Sequence, residues 1–389
     1  MPTIWPMRRG DLLLRDATAE DVEQLLTWRN EPVVNRWMMR THVDPEEFRR
    51  DWAAVAGSDR DHSCVVEVDG QPVAMGFLEI DGAGQHPQTP RDVEALLGYL
   101  VEPRWQGRGI ASELAAGLVE AAFDRLGLRR VRAYCNRDNL PSARVLEKAG
   151  LRREEHTVAD CWHAERGWVD GYGYGMLATE WRGEVTGLPE LRDSSARVPP
   201  RRPLPTPVAG LGLWRTQRLE LGPARERDVA QILAWRNLPQ VGEWLLEATT
   251  DESVLRRRLF DQGPAEHRFV ARLDGRAVGL GFVIRGDAPG QPGGPVQGAE
   301  AEIGYCLDPA VTGIGLGREI ACAAADLAIG ELGVRRVRAG LYADNLASAR
   351  LLEGIGMRRE QHGVLDSWHP RHGWVDGASY AILAPEWRA

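Results

Sequence analysis

Two segments of this sequence set glycines where a strand gives way to a helix. The first runs Pro103-Arg104-Trp105-Gln106-Gly107-Arg108-Gly109-Ile110-Ala111, and the second contains Thr312, Gly313, Gly315, Leu316 and Gly317. Glycine lets successive backbone N–H groups turn inward, and the following helix adds a partial positive charge at its N-terminus. Together these make an anion site suited to a pyrophosphate. A P-loop is ruled out because no Gly-Lys-Ser/Thr follows, and the dinucleotide fingerprint fails because the remaining glycine spacing after Gly109 is missing. Downstream of each turn lies a second polar segment, Asp138-Asn139-Leu140-Pro141-Ser142-Ala143-Arg144 and Asp344-Asn345-Leu346-Ala347-Ser348-Ala349-Arg350. A third pair of segments, 160–171 and 366–377, sets His163 and His369 behind a tryptophan, with Asp160 and Asp366 nearby. Those histidines have the chemistry of a base. An ordered polar corner between two strands explains them more simply, and the neighbouring tryptophans read as packing.

These residues need a frame. Thr18-Ala19-Glu20-Asp21 reads as a capping box opening a helix that carries Val22, Leu25, Leu26 and Trp28. Residues 64–68 and 72–80 read as strands joined by a tight Asp-Gly turn, with counterparts at 269–273 and 276–284. Gly/Pro-rich loops at 81–92 and 285–299 lead to strands over 93–101 and 301–307, each feeding a glycine turn. The helix after the first turn aligns Ile110, Leu114 and Leu118 on one face and stops at Gly127. A strand over 128–135, a short helix capped by Asn139 and stopped by Gly150, and two more strands follow. That order predicts an α/β domain with a mixed sheet covered by helices.

The frame is written twice. Asp21-Val22 through Trp28-Arg29-Asn30 recurs as Asp228-Val229 through Trp235-Arg236-Asn237, and 17 of 26 positions agree between 129–154 and 335–360. Each copy closes on Glu-Trp-Arg, and ten of the 14 tryptophans fall in matched pairs, 28/235, 37/244, 162/368, 168/374 and 181/387. The 389 residues are therefore a tandem duplication of a whole domain and not a solenoid of short units. The expected domains are 1–182 and 211–389, joined by a Pro/Arg-rich linker over 183–210.

With 43% hydrophobic and 27% charged residues, the composition is globular. No apolar run approaches the roughly 20 residues that span a bilayer, and a net charge of −8 argues against a nucleic-acid partner. The five cysteines lack CxxC spacing and read as reduced thiols, not as a metal framework. Met1-Pro2-Thr3-Ile4-Trp5-Pro6 has no apolar run behind a basic stretch, so a cytoplasmic protein without membrane contact is expected.

Gln106-x-x-Gly109-x-Ala111 resembles the acyl-CoA pyrophosphate loop of the GNAT N-acetyltransferase superfamily, whose pattern is Gln/Arg-x-x-Gly-x-Gly/Ala. Thr312-x-x-Gly315-x-Gly317 matches at both small positions and departs at the first. Asn139-x-x-Ser142 and Asn345-x-x-Ser348 resemble the family's segment whose Asn and Ser approach the pantetheine and phosphate arm. With Trp-Arg-Asn near each start and Glu-Trp at each end, both halves are similar to the RimJ/RimL branch. The resemblance implies two tandem GNAT folds, each a mixed, splayed β-sheet flanked by helices. It implies acetyl-CoA or another short acyl-CoA as co-substrate, no metal, and a primary amine that attacks the thioester directly. Cofactor contacts are implied for Val101, Gln106, Gly107, Arg108, Gly109, Ile110, Ala111 and Asn139, and for Leu307, Thr312, Gly313, Gly315, Leu316, Gly317 and Asn345.

An attacking amine must be neutral, so a carboxylate, or a water chained to one, must accept its proton. The resemblance implies that role for Glu302. The first copy has Leu96 at the aligned position, and Glu94, two residues earlier on the same strand face, is the substitute. The superfamily's usual general-acid tyrosine is absent, with Leu146 and Leu352 in its place, which leaves Ser142 and Ser348 to protonate the leaving thiolate. The first copy keeps Gln106, Arg108 and Lys148 for an anionic cofactor, whereas the second has Thr312 and Gly354 at the glutamine and lysine positions. Acyl-CoA is therefore expected to bind the first copy at least as tightly as the second. The expected activity is N-acetylation of a small-molecule primary amine, in specialised metabolism or resistance. The alternatives are protein N-terminal acetylation and a non-catalytic CoA-binding scaffold. Two fused copies can replace a homodimer, so a monomer is expected.

Overall fold

The computed structural model describes residues 4–55, 57–81, 89–91, 93–191, 206–208 and 213–388. Most of the expected linker (192–205 and 209–210) lies outside them, as do 82–88 of the first Gly/Pro-rich loop. The chain forms two compact units, the first holding the described residues up to 191 together with residues 289–294, and the second holding the rest.

The first unit runs β1 (Met7–Arg9), β2 (Leu12–Arg15), α1 (Ala19–Arg29), α2 (Pro32–Asn35), α3 (Pro45–Val55), β3 (Cys64–Val68), β4 (Gln71–Asp81) and β5 (Glu94–Val101). It continues through α4 (Ile110–Glu120), β6 (Arg130–Asn136), α5 (Leu140–Lys148), β7 (Arg152–His163), β8 (Gly167–Leu177) and α6 (Ala178–Trp181). The capping box is present: Thr18 Oγ1 accepts from the Asp21 N–H at 3.3 Å and the Asp21 carboxylate accepts from the Thr18 N–H at 2.7 Å. Strands β1 to β5 pair antiparallel in chain order, β5 pairs parallel with β6, and β8 joins β6 to β7.

The parallel pairing is brief. It comprises Glu94↔Arg130, Ala95↔Val131 and Leu96↔Arg132. Beyond it β5 stays with β4 as far as Val101, while β6 stays with β8 as far as Asn136. The two strands part, and a V opens in the middle of the sheet. On one face α4 buries Ile110, Leu114 and Leu118 with Leu14, Val66, Leu78 and Val131. On the other, α1 and α3 set Leu25, Trp28, Phe48 and Trp52 against Val65 and Met75. Helices thus cover both faces, as a mixed sheet with apolar residues on each side requires.

The second unit repeats the plan with β9 (Thr206–Val208), β10 (Leu213–Arg215), β11 (Glu220–Gly222), α7 (Glu226–Arg236), α8 (Pro239–Gly242), α9 (Glu252–Phe260), β12 (Glu266–Leu273), β13 (Arg276–Gly286) and β14 (Glu300–Leu307). Then come α10 (Leu316–Asp326), β15 (Arg336–Tyr342), α11 (Leu346–Gly354), β16 (Arg358–His369), β17 (Gly373–Leu383) and α12 (Ala384–Arg388). Its V opens past Glu302, the last residue of β14 paired with β15. Strand β9 falls inside the stretch expected to be a linker. It is held by backbone pairing to β10, and three residues are too few to show a period.

Candidate active site

The glycine turns hold the backbone that the sequence demands. Gly107 and Gly109 have φ of 76° and 83°, and Gly313 and Gly315 have 78° and 89°. These are left-handed values that favour glycine. Gly109 and Gly315 are the N-caps of α4 and α10, so each 11-residue helix presents its N-terminus at the mouth of the V. Ile110 and Leu316 send their side chains into the core and Val101 is buried with them, so these three offer a ligand their backbone groups. Gln106 Nε2 donates to the Val101 carbonyl at 3.1 Å, and Arg108 lies 4.6 Å from the Trp105 ring centroid. Ala111 packs against the core.

In the second unit Thr312 Oγ1 turns instead to the Pro309 carbonyl at 2.9 Å. Two arginines stand near the second turn, Arg218 (also paired with Glu319 at 2.6 Å) and Arg318. Arg218 donates to the Ile314 carbonyl at 2.6 Å, and Arg318 from α10 donates to the carbonyl of Gly354 at 2.6 Å. The latter brings a guanidinium to the position from which Lys148 extends in the first copy.

Across the V, Asn139 and Asn345 cap α5 and α11, accepting from the Ser142 and Ser348 N–H groups at 3.4 and 3.1 Å. The serine side chains meet tyrosines that the sequence reading missed. Tyr99 Oη lies 2.9 Å from Ser142 Oγ, and Tyr305 Oη lies 2.7 Å from Ser348 Oγ. Each tyrosine comes from the strand arm that has left the parallel pairing, so the hydroxyl pair bridges the V. Burial pushes the Tyr305 hydroxyl up to about 12, although its bond to Ser348 works the other way. Burial raises Tyr99 as well. A signal was available: Gly98-Tyr99 and Gly304-Tyr305 survive the duplication beside the candidate base.

A cleft of about 1040 Å³ occupies the V of the second unit. Glu302, Ser348, Leu307, Thr312, Gly313, Gly315, Gly317 and Asn345 all line it, with Tyr305, Arg318 and Arg350. Its far wall is apolar, with Val241, Trp244, Leu245, Phe282 and Ile284. Glu302 pairs with Arg338 at 3.2 Å, and Glu247 pairs with Arg258 at 2.6 Å.

Glu94 is not brought into such a position. Its carboxylate is 1% exposed and accepts from Arg129 and from Arg130, the latter at 3.4 Å. Arg130 goes on to Glu154, and Arg152 ties Glu154 at 2.8 Å to Glu180 at 3.3 Å. The second unit repeats this ladder as Glu300, Arg336, Glu360, Arg358 and Glu386. The partner of Glu94 is therefore Glu300 and not Glu302. Both belong to the ion-pair ladder that pins the closed end of the V, which corrects the choice of Glu94 as a base.

The two histidines form polar corners. His163 Nδ1 accepts from the Glu165 N–H at 3.2 Å, and His369 Nδ1 accepts from the Arg371 N–H at 3.1 Å while its Nε2 lies 2.9 Å from the Glu243 carbonyl. Trp162 with Trp168, and Trp368 with Trp374, stack edge to face with centroids 5.5 and 5.3 Å apart. Glu243, His369 and His372 have potential ligand atoms within 4.8 Å of one another, a grouping the sequence did not suggest. The Glu243 carboxylate there bonds Arg371 at 2.8 Å and His372 at 2.9 Å. Among the described residues, no helix is long and apolar enough to cross a membrane.

A sheet splayed between two strands, with a glycine turn and helix N-terminus on one arm and an Asn-x-x-Ser helix on the other, is the architecture of the GNAT fold. The profile of the acetyltransferase (GNAT) domain matches residues 11–152 and again 218–358, and the chain belongs to that family with its domain present twice. It is 33% identical over 117 residues to the uncharacterized N-acetyltransferase YnaD of Bacillus subtilis, covering 26% of this chain and 68% of that protein. It is 26% identical over 190 residues to the uncharacterized N-acetyltransferase p20 of Bacillus licheniformis, covering 47% of this chain and all of that one. Among solved structures, a GNAT-family acetyltransferase from Bacillus anthracis aligns at 23% identity and a TM-score of 0.38, over 45% of this chain and 99% of its own. Spermidine N-acetyltransferase from Vibrio cholerae, in complex with CoA and spermine, aligns at 18% identity and 0.40, over 45% and 99%.

Proposed function

We propose that this protein acetylates the primary amine of a small molecule, with acetyl-CoA as donor, by direct attack on the thioester in the cleft of the second unit. The observation that carries this reading is the convergence of a glycine turn, Glu302 and the Tyr305–Ser348 pair in one cavity. The turn and the N-terminus of α10 receive the pyrophosphate, with Arg218 and Arg318 as the nearby cations. Glu302 takes a proton from the ammonium, and the neutral nitrogen attacks the thioester carbonyl. The C–N bond forms as the C–S bond breaks. The departing thiolate takes the Ser348 proton, Tyr305 replaces it through their 2.7 Å bond, and the second proton shed by the nitrogen as the amide forms returns to Tyr305. A tyrosine whose affinity for its proton is raised by burial arrives at that step protonated.

The wall of Val241, Trp244, Leu245, Phe282 and Ile284 suits an amine with an apolar body. A polyamine would need several carboxylates, and the two that line the cleft are each paired with an arginine. Thiol release from acetyl-CoA, measured against a panel of small amines and peptide N-termini, tests the reading. Turnover on small amines is expected, with Ser348→Ala lowering kcat of the second site about 100-fold at unchanged KM. Acetylation confined to peptide N-termini would replace the small-molecule reading with protein modification. CoA binding without any turnover would leave a scaffold.

A further inference from the structure

Resting on the acyl-transfer reading above, the geometry points to a second catalytic site in the first unit, with Glu79 as the base that accepts the amine proton. In the second unit β13 and β14 pair Ile284 directly with Glu302. In the first, β4 and β5 pair Glu79 directly with Leu96. These are the same two places in the fold. Gly76-Phe77-Leu78-Glu79 corresponds to Gly281-Phe282-Val283-Ile284, and Glu94-Ala95-Leu96-Leu97-Gly98-Tyr99 to Glu300-Ala301-Glu302-Ile303-Gly304-Tyr305. Residues directly opposed in an antiparallel pair lie on one face with Cβ atoms about 4.5–5.5 Å apart. Ile284 and Glu302 share the face that lines the second cleft. Between the copies, then, the carboxylate has crossed one strand pair and the apolar residue has crossed back. A glutamate side chain is long enough to span that shift.

The other parts of a site are already in the first unit. Gly107 and Gly109 form the turn at the head of α4. Tyr99 and Ser142 form the hydroxyl pair at 2.9 Å. An arginine stands on the next strand in both copies, Arg132 in register with Leu96 and Arg338 with Glu302. Arg132 is engaged by Asp81, however, and Arg338 by Glu302 itself. Glu79 keeps a solvent face, yet partial burial and then the Asp61 and Asp81 carboxylates hold its carboxyl above the usual range, against the pull of Arg40. That is the direction a base working near neutrality needs. The step balances with two protons leaving the nitrogen: the ammonium gives one to Glu79, the C–N bond forms as the C–S bond breaks, Ser142 protonates the thiolate, and the second proton shed by the nitrogen as the amide forms restores the Tyr99–Ser142 pair.

The test uses the full chain. Glu302→Gln removes the base of the second unit, and the acetyl-CoA-dependent thiol release that remains against the amine panel reports the first. Adding Glu79→Gln should lower that remaining kcat about 100-fold, with the KM for acetyl-CoA unchanged. In the same Glu302→Gln background, Glu79→Leu combined with Leu96→Glu rebuilds the second unit's arrangement and should restore turnover that Glu79→Leu alone abolishes. Wild-type turnover that disappears entirely with Glu302→Gln overturns this inference and leaves the proposed function standing, as does residual turnover indifferent to Glu79→Gln. Wild-type protein that binds CoA and turns over no amine overturns the proposed function itself.

Discussion

The two units treat their carboxylates in opposite ways at the two ends of the V. At the closed end the ladder Glu94–Arg130–Glu154–Arg152–Glu180 is copied residue for residue as Glu300–Arg336–Glu360–Arg358–Glu386. Around the open end several carboxylates change place or partner. Glu79 opposite Leu96 becomes Ile284 opposite Glu302. Near the hairpin tip, Arg36 pairing with Glu165 at 3.4 Å becomes Glu243 pairing with Arg371 at 2.8 Å, with the charges exchanged. A similar exchange occurs at the first helix. Asp21 is held by Arg15 from β2, and Asp228 is held by Arg272 from β12, which takes the place of β3. Connectivity explains the contrast. Each ladder charge serves more than one buried partner, so changing one leaves another unpaired at a cost, whereas the buried Asp228–Arg272 pair is a self-contained couple that can form from a different strand. A charge facing water or a ligand can move to a neighbouring strand provided the local sum is kept.

The largest effect should come from the part that is copied. Arg130→Ala or Arg336→Ala takes one partner from each of two buried glutamates and should cost about 3 kcal/mol of stability in denaturant unfolding. A loss below about 1 kcal/mol would show that the ladder does not pin the V. The comparison of the glycine turns comes next. Calorimetry should find that Gly109→Trp and Gly315→Trp each remove one class of CoA site, with the first-unit site at least as tight. Loss of all binding in Gly315→Trp alone would reverse that order. The smallest effect belongs to the hairpin pair. Exchanging charges in the first unit, Arg36→Glu with Glu165→Arg, should leave the melting temperature unchanged within error, because both side chains are largely exposed. A clear loss would make the exchange between the copies more than a neutral one.

Much of the fold could be read directly. The Thr18 capping box, the Asp69-Gly70 and Asp274-Gly275 hairpins, the Asn139 and Asn345 caps and the left-handed glycines before α4 and α10 all stand as their residues predict. Each rests on contacts within a few residues of chain. The candidate site was marked out where the duplication supplied a second witness, as with Ser142 and Ser348, each of which meets a tyrosine. It was misread at Glu94, because spacing along one strand cannot show that an arginine 36 residues away will bury the carboxylate. Glu79 escaped notice because its significance lies in what it faces across a strand pair.

The sequence by itself determined that one domain is written twice and where the glycine turn before each helix begins, and its motifs carried the resemblance to the GNAT family. These follow from repeats, periodicity and local backbone preference, which a linear chain carries openly. Tertiary structure alone decided which glutamate is pinned in the sheet and which faces the V, and which tyrosine meets which serine. It also decided that a lysine lost from α11 is answered by an arginine from α10. Those outcomes depend on strand register and on the point where β5 leaves β6. A register is settled by the packing of the whole sheet, since a shift of one residue turns every side chain to the other face.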